Sequence, residues 1–397
     1  MTVQHDTSRV LVRSNVDFSS QQFLMFVLDE MACEYERRYD DVIRLTLGKS
    51  ELPLHPAITQ AMVEALTDHR RSTLVFPAGL PELRERLAEF ESRRHGIDVP
   101  PGRVVVSVGT STLYRNILAL VAGPGDDVVL PRPYYPLYLF SALLAGATVR
   151  HYEVDQESLR IDIESLRAQV GPRTRAVVLN SPGNPLGNIA SPEELLEVDT
   201  VVDGRALLIS DEIYRNVCFD EPAASMLGLG PLRSPLVVTN AFSKGYRMYA
   251  RRVGYAIVPD ELVEPLAVIQ HHTLLTTDPV PQFGAVAALD LPGELDHLTD
   301  VYRARRDYTL ERFRRVDRVR AIPSRGGFYL TLDCRDHMRA NGLERSLDLA
   351  QAIMRETHVA TVPGSDFGLP ETLRLSFSAA RYEEAIDRLA SFFGSRD

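Results

Sequence analysis

The chain has 397 residues, 45% of them hydrophobic, enough to bury a full core in two or three domains or in one large domain with a smaller companion. A formal net charge of −10 and a pI near 5.6, with arginines interspersed among acids, exclude the basic stripe that nucleic-acid binding needs. Cys33, Cys218 and Cys334 lack metal-ligand spacing, no stretch approaches about 18 uninterrupted apolar residues, and the amino terminus has no basic region leading into an apolar core. A soluble, unprocessed protein of the reducing cytoplasm is expected, without metal, membrane or nucleic-acid partner.

Residues 20–39 place Phe23, Leu24, Val27, Leu28 and Met31 at helical spacing among acids and arginines, predicting an amphipathic helix packed on a larger body. From about residue 80 onward, helical stretches alternate with β-branched runs at 104–108, 128–131, 176–180, 206–210, 236–240 and 253–258. Apolar runs separated by helices predict a mainly parallel sheet covered on both faces. After residue 290 a charged helix near 300–316, short strands near 327–332 and 373–378 and a final helix near 382–393 predict a smaller α+β domain. The chain is therefore divided into an arm over 1–48 that joins the small domain, a large domain over 49–290 and a small domain over 291–397, with a cleft between them.

Of the 44 basic side chains only Lys49 and Lys244 are lysines. Arginine cannot form an imine, so a lysine kept in that background draws attention. Lys244 ends the stretch Val-Val-Thr-Asn-Ala-Phe-Ser-Lys, in the loop at the carboxyl end of a predicted buried strand, where open α/β sheets place their chemistry. Two other predicted strands end alike: Asn180 runs into Ser181-Pro-Gly-Asn184-Pro-Leu-Gly187, and Ser210 into Asp211-Glu-Ile-Tyr214. Singly, Asp211 could cap a helix, Tyr214 could be core and Asn184-Pro185 could start a turn. Together, with Arg252 eight residues after Lys244, they point to one shared ligand.

The ordered set Pro-Ala-Gly79-Leu-Pro-Glu-Leu-Arg, Pro-Tyr-Tyr135-Pro-Leu-Tyr, Ser-Pro-Gly-Asn184-Pro-Leu-Gly, Asp211-Glu-Ile-Tyr214, Phe-Ser-Lys244 with Arg252, and Arg374-Leu-Ser-Phe resembles the class I/II aminotransferases, aspartate-aminotransferase-like enzymes dependent on pyridoxal phosphate, over residues 42–378. The resemblance implies the type I α/β fold, a mainly parallel seven-stranded sheet between helices plus a smaller α+β domain, and a homodimer. It implies that Lys244 forms the aldimine with pyridoxal 5'-phosphate and moves the substrate α-proton, while Asp211 keeps the pyridine nitrogen protonated. Tyr214 and Asn184 would hydrogen-bond the cofactor's phenolic oxygen and Tyr135 would stack on its ring. Ser107-Val-Gly109-Thr110-Ser111-Thr112 offers a loop into a helix amino terminus, making Thr110, Ser111, Ser243 and Arg252 the phosphate candidates. Arg374 would fork onto the substrate α-carboxylate. Residues 271–278 resemble the segment that reaches toward the partner subunit's cofactor, with Thr273 the candidate there.

Three positions depart from the family. Leu74 stands where a phosphate-binding tyrosine is usual, Ala241 where a serine is usual, and Gly48-Lys49-Ser50-Glu51 replaces Gly-Glu-Pro. Gly48 and Lys49 are accordingly expected at the substrate mouth, with Ser50 and Glu51 beside them. Side-chain selectivity is assigned to loops around Phe23, Lys49, Phe76, Tyr138 and Phe367. The leading function is transamination between an L-amino acid and a 2-oxo acid through a quinonoid intermediate. The alternative, motivated by the two missing phosphate contacts, is β/γ-elimination, replacement or cyclisation in specialised amino acid metabolism. Acyl-CoA condensation fits the local motifs less well, and a cofactor-binding transcriptional sensor would need a winged helix-turn-helix that the first 45 or so residues are too few and too acidic to supply.

Overall fold

The structure, a computed structural model, describes residues 24–291 and 293–394. Phe23 and the start of the expected first helix lie outside them. Seven strands build the central sheet: β2 (Val104–Val108), β3 (Asp127–Arg132), β4 (Thr148–Glu153), β5 (Thr174–Asn180), β6 (Leu207–Asp211), β7 (Leu236–Ala241) and β8 (Val253–Ile257). Their order is β2-β8-β7-β6-β5-β3-β4. All neighbours run parallel except β8, which is antiparallel to β2 and β7. The Val/Ile/Leu-rich strands β2, β5 and β6 and the wholly buried Val-Gly-Tyr-Ala-Ile of β8 are buried on both faces, as a sheet packed between two helical layers requires. Strand β4 was not expected from the sequence. It is a sheet edge with Tyr152 its one buried side chain, so Arg150 and His151 broke the apolar signal.

Register fixes the site. Asn180 pairs with Asp211, and Asp211 with Thr239, so the ends of β5, β6 and β7 lie side by side. At the antiparallel end of the sheet, Gly109 leaves β2 and leads into the helix over Thr110–Val121.

The remaining strands are β1 (Ile43–Arg44), β9 (Arg320–Ile322), β10 (Tyr329–Asp333), β11 (Val359–Ala360), β12 (Val362–Pro363) and β13 (Thr372–Ser376). The antiparallel sheet β12-β13-β10-β9 and the parallel pair β1-β11 pack with helices around their own apolar cluster. The helices used below are α1 (Leu24–Glu36), α2 (Pro81–His95), α3 (Thr110–Val121), α4 (Pro136–Leu144), α5 (Gly293–Phe313), α6 (Ser346–Thr357) and α7 (Tyr382–Gly394). The charged helix begins earlier than the expected 300–316 and ends at Phe313. Met25, Leu28 and Ala32 form the buried stripe of α1, and Asp366 accepts the Leu24 and Met25 amides at 2.8 Å each. Pairing of β1 with β11 then draws the chain from Leu45 to Gly48 between the two sheets. Among the described residues no helix is long and apolar enough to cross a membrane.

Candidate active site

Asp211, the last residue of β6, is fully enclosed. Its carboxylate accepts the Tyr138 hydroxyl at 2.6 Å, the Thr239 hydroxyl at 3.2 Å and the Ile213 amide at 3.2 Å, with no cation among these partners. Burial pushes the carboxyl up to about 6, against the pull of those donors. Asn180 shapes the neighbouring loop: its amide donates to the Asp211 carbonyl at 3.0 Å and its side-chain oxygen accepts from Asn184 N at 2.9 Å. Asn184 is thereby held over the cavity, its Oδ1 accepting from Arg374 at 3.2 Å while its buried Nδ2 has no partner.

Strand β7 ends at Ala241, and the turn after it carries Lys244 inward. The amine donates to the Gly48 carbonyl at 2.7 Å and lies 5.3 Å from the Phe328 ring centre and 5.6 Å from those of Tyr214 and Tyr249. Burial holds its basicity below that of a free lysine, which favours the neutral, nucleophilic amine.

Gly109 precedes α3 with φ +77° and ψ 168°, a conformation reserved for glycine, and a Cβ there would stand 2.6 Å from Arg252 Nη2. The Arg252 guanidinium donates to Tyr249 O at 2.9 Å and pairs with no carboxylate among the described residues. Thr110, Ser111, Ser243 and Arg252 line the same cavity of about 170 Å³ as Tyr135, Asn184, Asp211, Tyr214 and Lys244. A helix start, three hydroxyls and a guanidinium without a carboxylate partner make an anion site. An uncompensated carboxylate would accept from a protonated pyridine nitrogen and an orphaned amide would donate to a phenolic oxygen, so these residues fit pyridoxal phosphate.

Arg374, on β13, is clamped between rings, its guanidinium carbon 4.0 Å from the Tyr329 centre and 4.6 Å from that of Phe367. It donates to Thr46 O at 2.5 Å and to Asn184, touches the Met25 sulfur at 3.7 Å, and leaves a buried Nε without a partner. A planar, rigid fork of this kind suits a carboxylate.

Other residues singled out from the sequence have different surroundings. Lys49 is exposed and does not line the cavity, whereas Gly48 is buried beneath Lys244. The Ser50 hydroxyl accepts from Leu52 N, and Glu51 accepts from Ala380 N. Thr273 is exposed, its hydroxyl turned back on Ile269 O. Phe76 and Leu74 pack in the apolar layer with Leu80 and Leu83. Tyr138 is spent on Asp211, and Phe367 on Arg374. Sequence reasoning passed over Thr239, Tyr249 and Tyr329. Thr239 was findable as the strand residue in register with Asp211, while Tyr329 comes from the second sheet and carries no local signal.

The family model for aminotransferase class I and II matches residues 40–393. The chain is 31% identical over 376 residues to the aspartate/prephenate aminotransferase of Thermus thermophilus, covering 91% of this chain and 94% of that one. The solved aspartate aminotransferase of Thermotoga maritima superposes with a TM-score of 0.86 at 28% identity, over 96% of this chain and 99% of that one. Alanine aminotransferase from Pyrococcus furiosus gives 0.88 at 26%, over 95% and 98%. These relatives are aminotransferases, which favours transamination over elimination, replacement or cyclisation. With a match of that extent and a buried lysine facing an uncompensated aspartate, the chain belongs to the class I and II aminotransferases.

Proposed function

We propose that the cavity holds pyridoxal 5'-phosphate and that this chain uses it to pass the amino group of an L-amino acid to a 2-oxo acid. The single observation that carries the reading is the buried Asp211, with no cation among its partners, lining the same small cavity as the Lys244 amine. Bound there, the cofactor supplies an electron sink for the charge left on the substrate α-carbon.

The chain's own residues would do the rest. Lys244 holds the cofactor, then takes the α-proton and returns it. Asp211, steadied by Tyr138 and Thr239, keeps the ring nitrogen protonated. Tyr214 and Asn184 donate to the ring oxygen, and Tyr135 covers the ring. Thr110, Ser111, Ser243 and Arg252 hold the phosphate without the usual partners at Leu74 and Ala241. Arg374 receives the α-carboxylate, and Gly48 lets the substrate approach Lys244. The same reading divides the chain into 1–48, 49–290 and 291–397, makes a homodimer its working form and places it in the cytoplasm.

The test is the visible spectrum of the purified protein reconstituted with pyridoxal phosphate. Single amino acids should bleach the cofactor band and a 2-oxo acid should restore it. A protein that never takes up the cofactor, or a band that no amino acid changes, overturns the reading.

A further inference from the structure

Tyr329 is a buried phenol for which the roles above have no use. It opens β10, paired with Ser376 of β13, and so enters the cavity from the second sheet. A Cβ placed on Gly48 would meet Tyr329 Oη at 2.1 Å and Lys244 Nζ at 2.7 Å, so hydroxyl and amine crowd the same Cα. The Lys244 amine lies 6.0 Å from the centre of the Tyr329 ring, and the phenol is coupled electrostatically to both Lys244 and Tyr214. Its ring is held edge-to-face against Tyr214, centres 5.8 Å apart at 78°, with the Arg374 guanidinium 4.0 Å above its face.

We propose that Tyr329 is a further catalytic residue, an acid–base partner that shares one proton with Lys244. The inference rests on the reading of Lys244 as the base. The exchange balances without any other reactant: the phenol O–H bond breaks and its electron pair stays on oxygen, while the amine lone pair takes the proton and forms N–H. Amine with phenol becomes ammonium with phenolate, and the reverse step restores both.

The surroundings support either state. The groups facing the phenol are Lys244, Tyr214, Arg374, Tyr135 and Tyr302. Burial alone pushes the phenol up, but Lys244 and Arg374 outweigh it and bring Tyr329 below an ordinary tyrosine. Burial likewise lowers Lys244, Arg374 and Arg252 lower it further, and Tyr329 pulls it back up. Tyr249 adds only its ring to that side. Without the hydroxyl, Lys244 keeps the burial and the two guanidinium charges and loses its main support as an acceptor. The α-proton then has a weaker base to go to.

The test is Tyr329→Phe, which keeps the ring over Arg374 and Tyr214. In the reconstituted enzyme, kcat should fall roughly 100-fold with KM little changed, the lower end of the roughly 100–10,000-fold range of one acid–base group. The acidic limb of the kcat profile should move to lower pH, and the isotope effect on an α-deuterated amino acid should grow. In the full chain without cofactor, tyrosinate absorbance should show one phenol titrating ahead of the rest, absent from Tyr329→Phe and moved to higher pH in Lys244→Met. A variant with parental kcat and pH profile, or a titration in which no early phenol is lost, overturns the proposal. Parental transamination with an unaffected Tyr329→Phe defeats this inference alone, whereas a parent that transaminates nothing defeats the reading of Lys244, and the tyrosinate titration still decides whether the proton is shared.

Discussion

Replacing Glu91 by Gln should destabilise the protein by about 3 kcal/mol at neutral pH, although Glu91 lies outside the cavity. Glu91, on α2, receives both Nη2 bonds of Arg215 at 2.7 and 2.9 Å, and the Tyr255 hydroxyl donates to it as well. Arg215 also reaches Glu212 at 2.7 Å, and Ser210 ties Glu212 in turn at 3.0 Å. The side chains of Glu91, Arg215 and Glu212 are each 1% exposed. Burial alone would raise the Glu91 carboxyl; Arg215 together with the His95 ring, 3.1 Å away, and the Tyr255 hydroxyl outweighs it and holds the group down to about 2, against an ordinary 4.5. At 1.36 kcal/mol per unit this corresponds to about 3 kcal/mol, in line with the roughly 3–5 kcal/mol lost when one partner of a buried pair is removed. Because the folded value lies below the unfolded one, the contribution is present above about pH 5 and fades as pH falls from 4.5 toward 2. With an unfolding entropy of about 0.8 kcal/mol/K for a chain this long, melting should drop by about 4 °C at neutral pH. Calorimetry should show that deficit shrinking as the buffer is made acidic below pH 4.5. An unchanged melting temperature at neutral pH, or a deficit indifferent to acid, would refute the reasoning.

Gly109→Ala should weaken pyridoxal phosphate binding by roughly 10-fold, since a side chain in that backbone region costs about 1–3 kcal/mol and here also meets Arg252; titration with the cofactor checks it, and an unchanged Kd speaks against the cradle. Asp211→Asn should flatten the pH dependence of melting of the cofactor-free protein between about pH 4 and 6. A folded carboxyl raised to about 6 contributes stability that is present below its unfolded value of 3.8 and lost as pH rises through 6, which a neutral amide removes. Asp366, likewise raised to about 6 by burial, should leave a residual slope. A slope equal to the parent's would count against this account of Asp211.

The central sheet was legible because six of its strands are largely apolar runs buried on both faces, and the convergence of Asn184, Asp211, Tyr214 and Lys244 was legible because parallel strands end along one edge. Strand β4 was not, since an edge strand need not be apolar. Lys49 was singled out for its rarity, which reports on composition; the residue that approaches Lys244 is its neighbour Gly48, singled out with it for an expected place at the substrate mouth. Tyr329 stayed hidden for a different reason, because its partners are 85 and 281 positions away, as 329 − 244 and 329 − 48, and only the packing of the second sheet on the first brings them together.

That long-range packing also explains why the site needs both sheets. Lys244 and Asp211 come from strand ends of the central sheet, but the acceptor of the Lys244 amine is the Gly48 carbonyl, on a segment held by the β1–β11 pair, Ile43 against Val359 and Arg44 against Ala360, and tied to β13 of the second sheet where Leu45 O accepts from Ser376 N. Arg374 donates to Thr46 of that segment and to Asn184 of the central sheet, so one guanidinium joins the two bodies at the cavity. Gly48 is the point of closest approach, where a methyl group would collide with both Lys244 and Tyr329. The phenol and guanidinium are set by the β10–β13 register, but their approach to the Lys244 amine runs through residues 45–48, whose backbone pairing is as much a part of the site's geometry as the lysine itself.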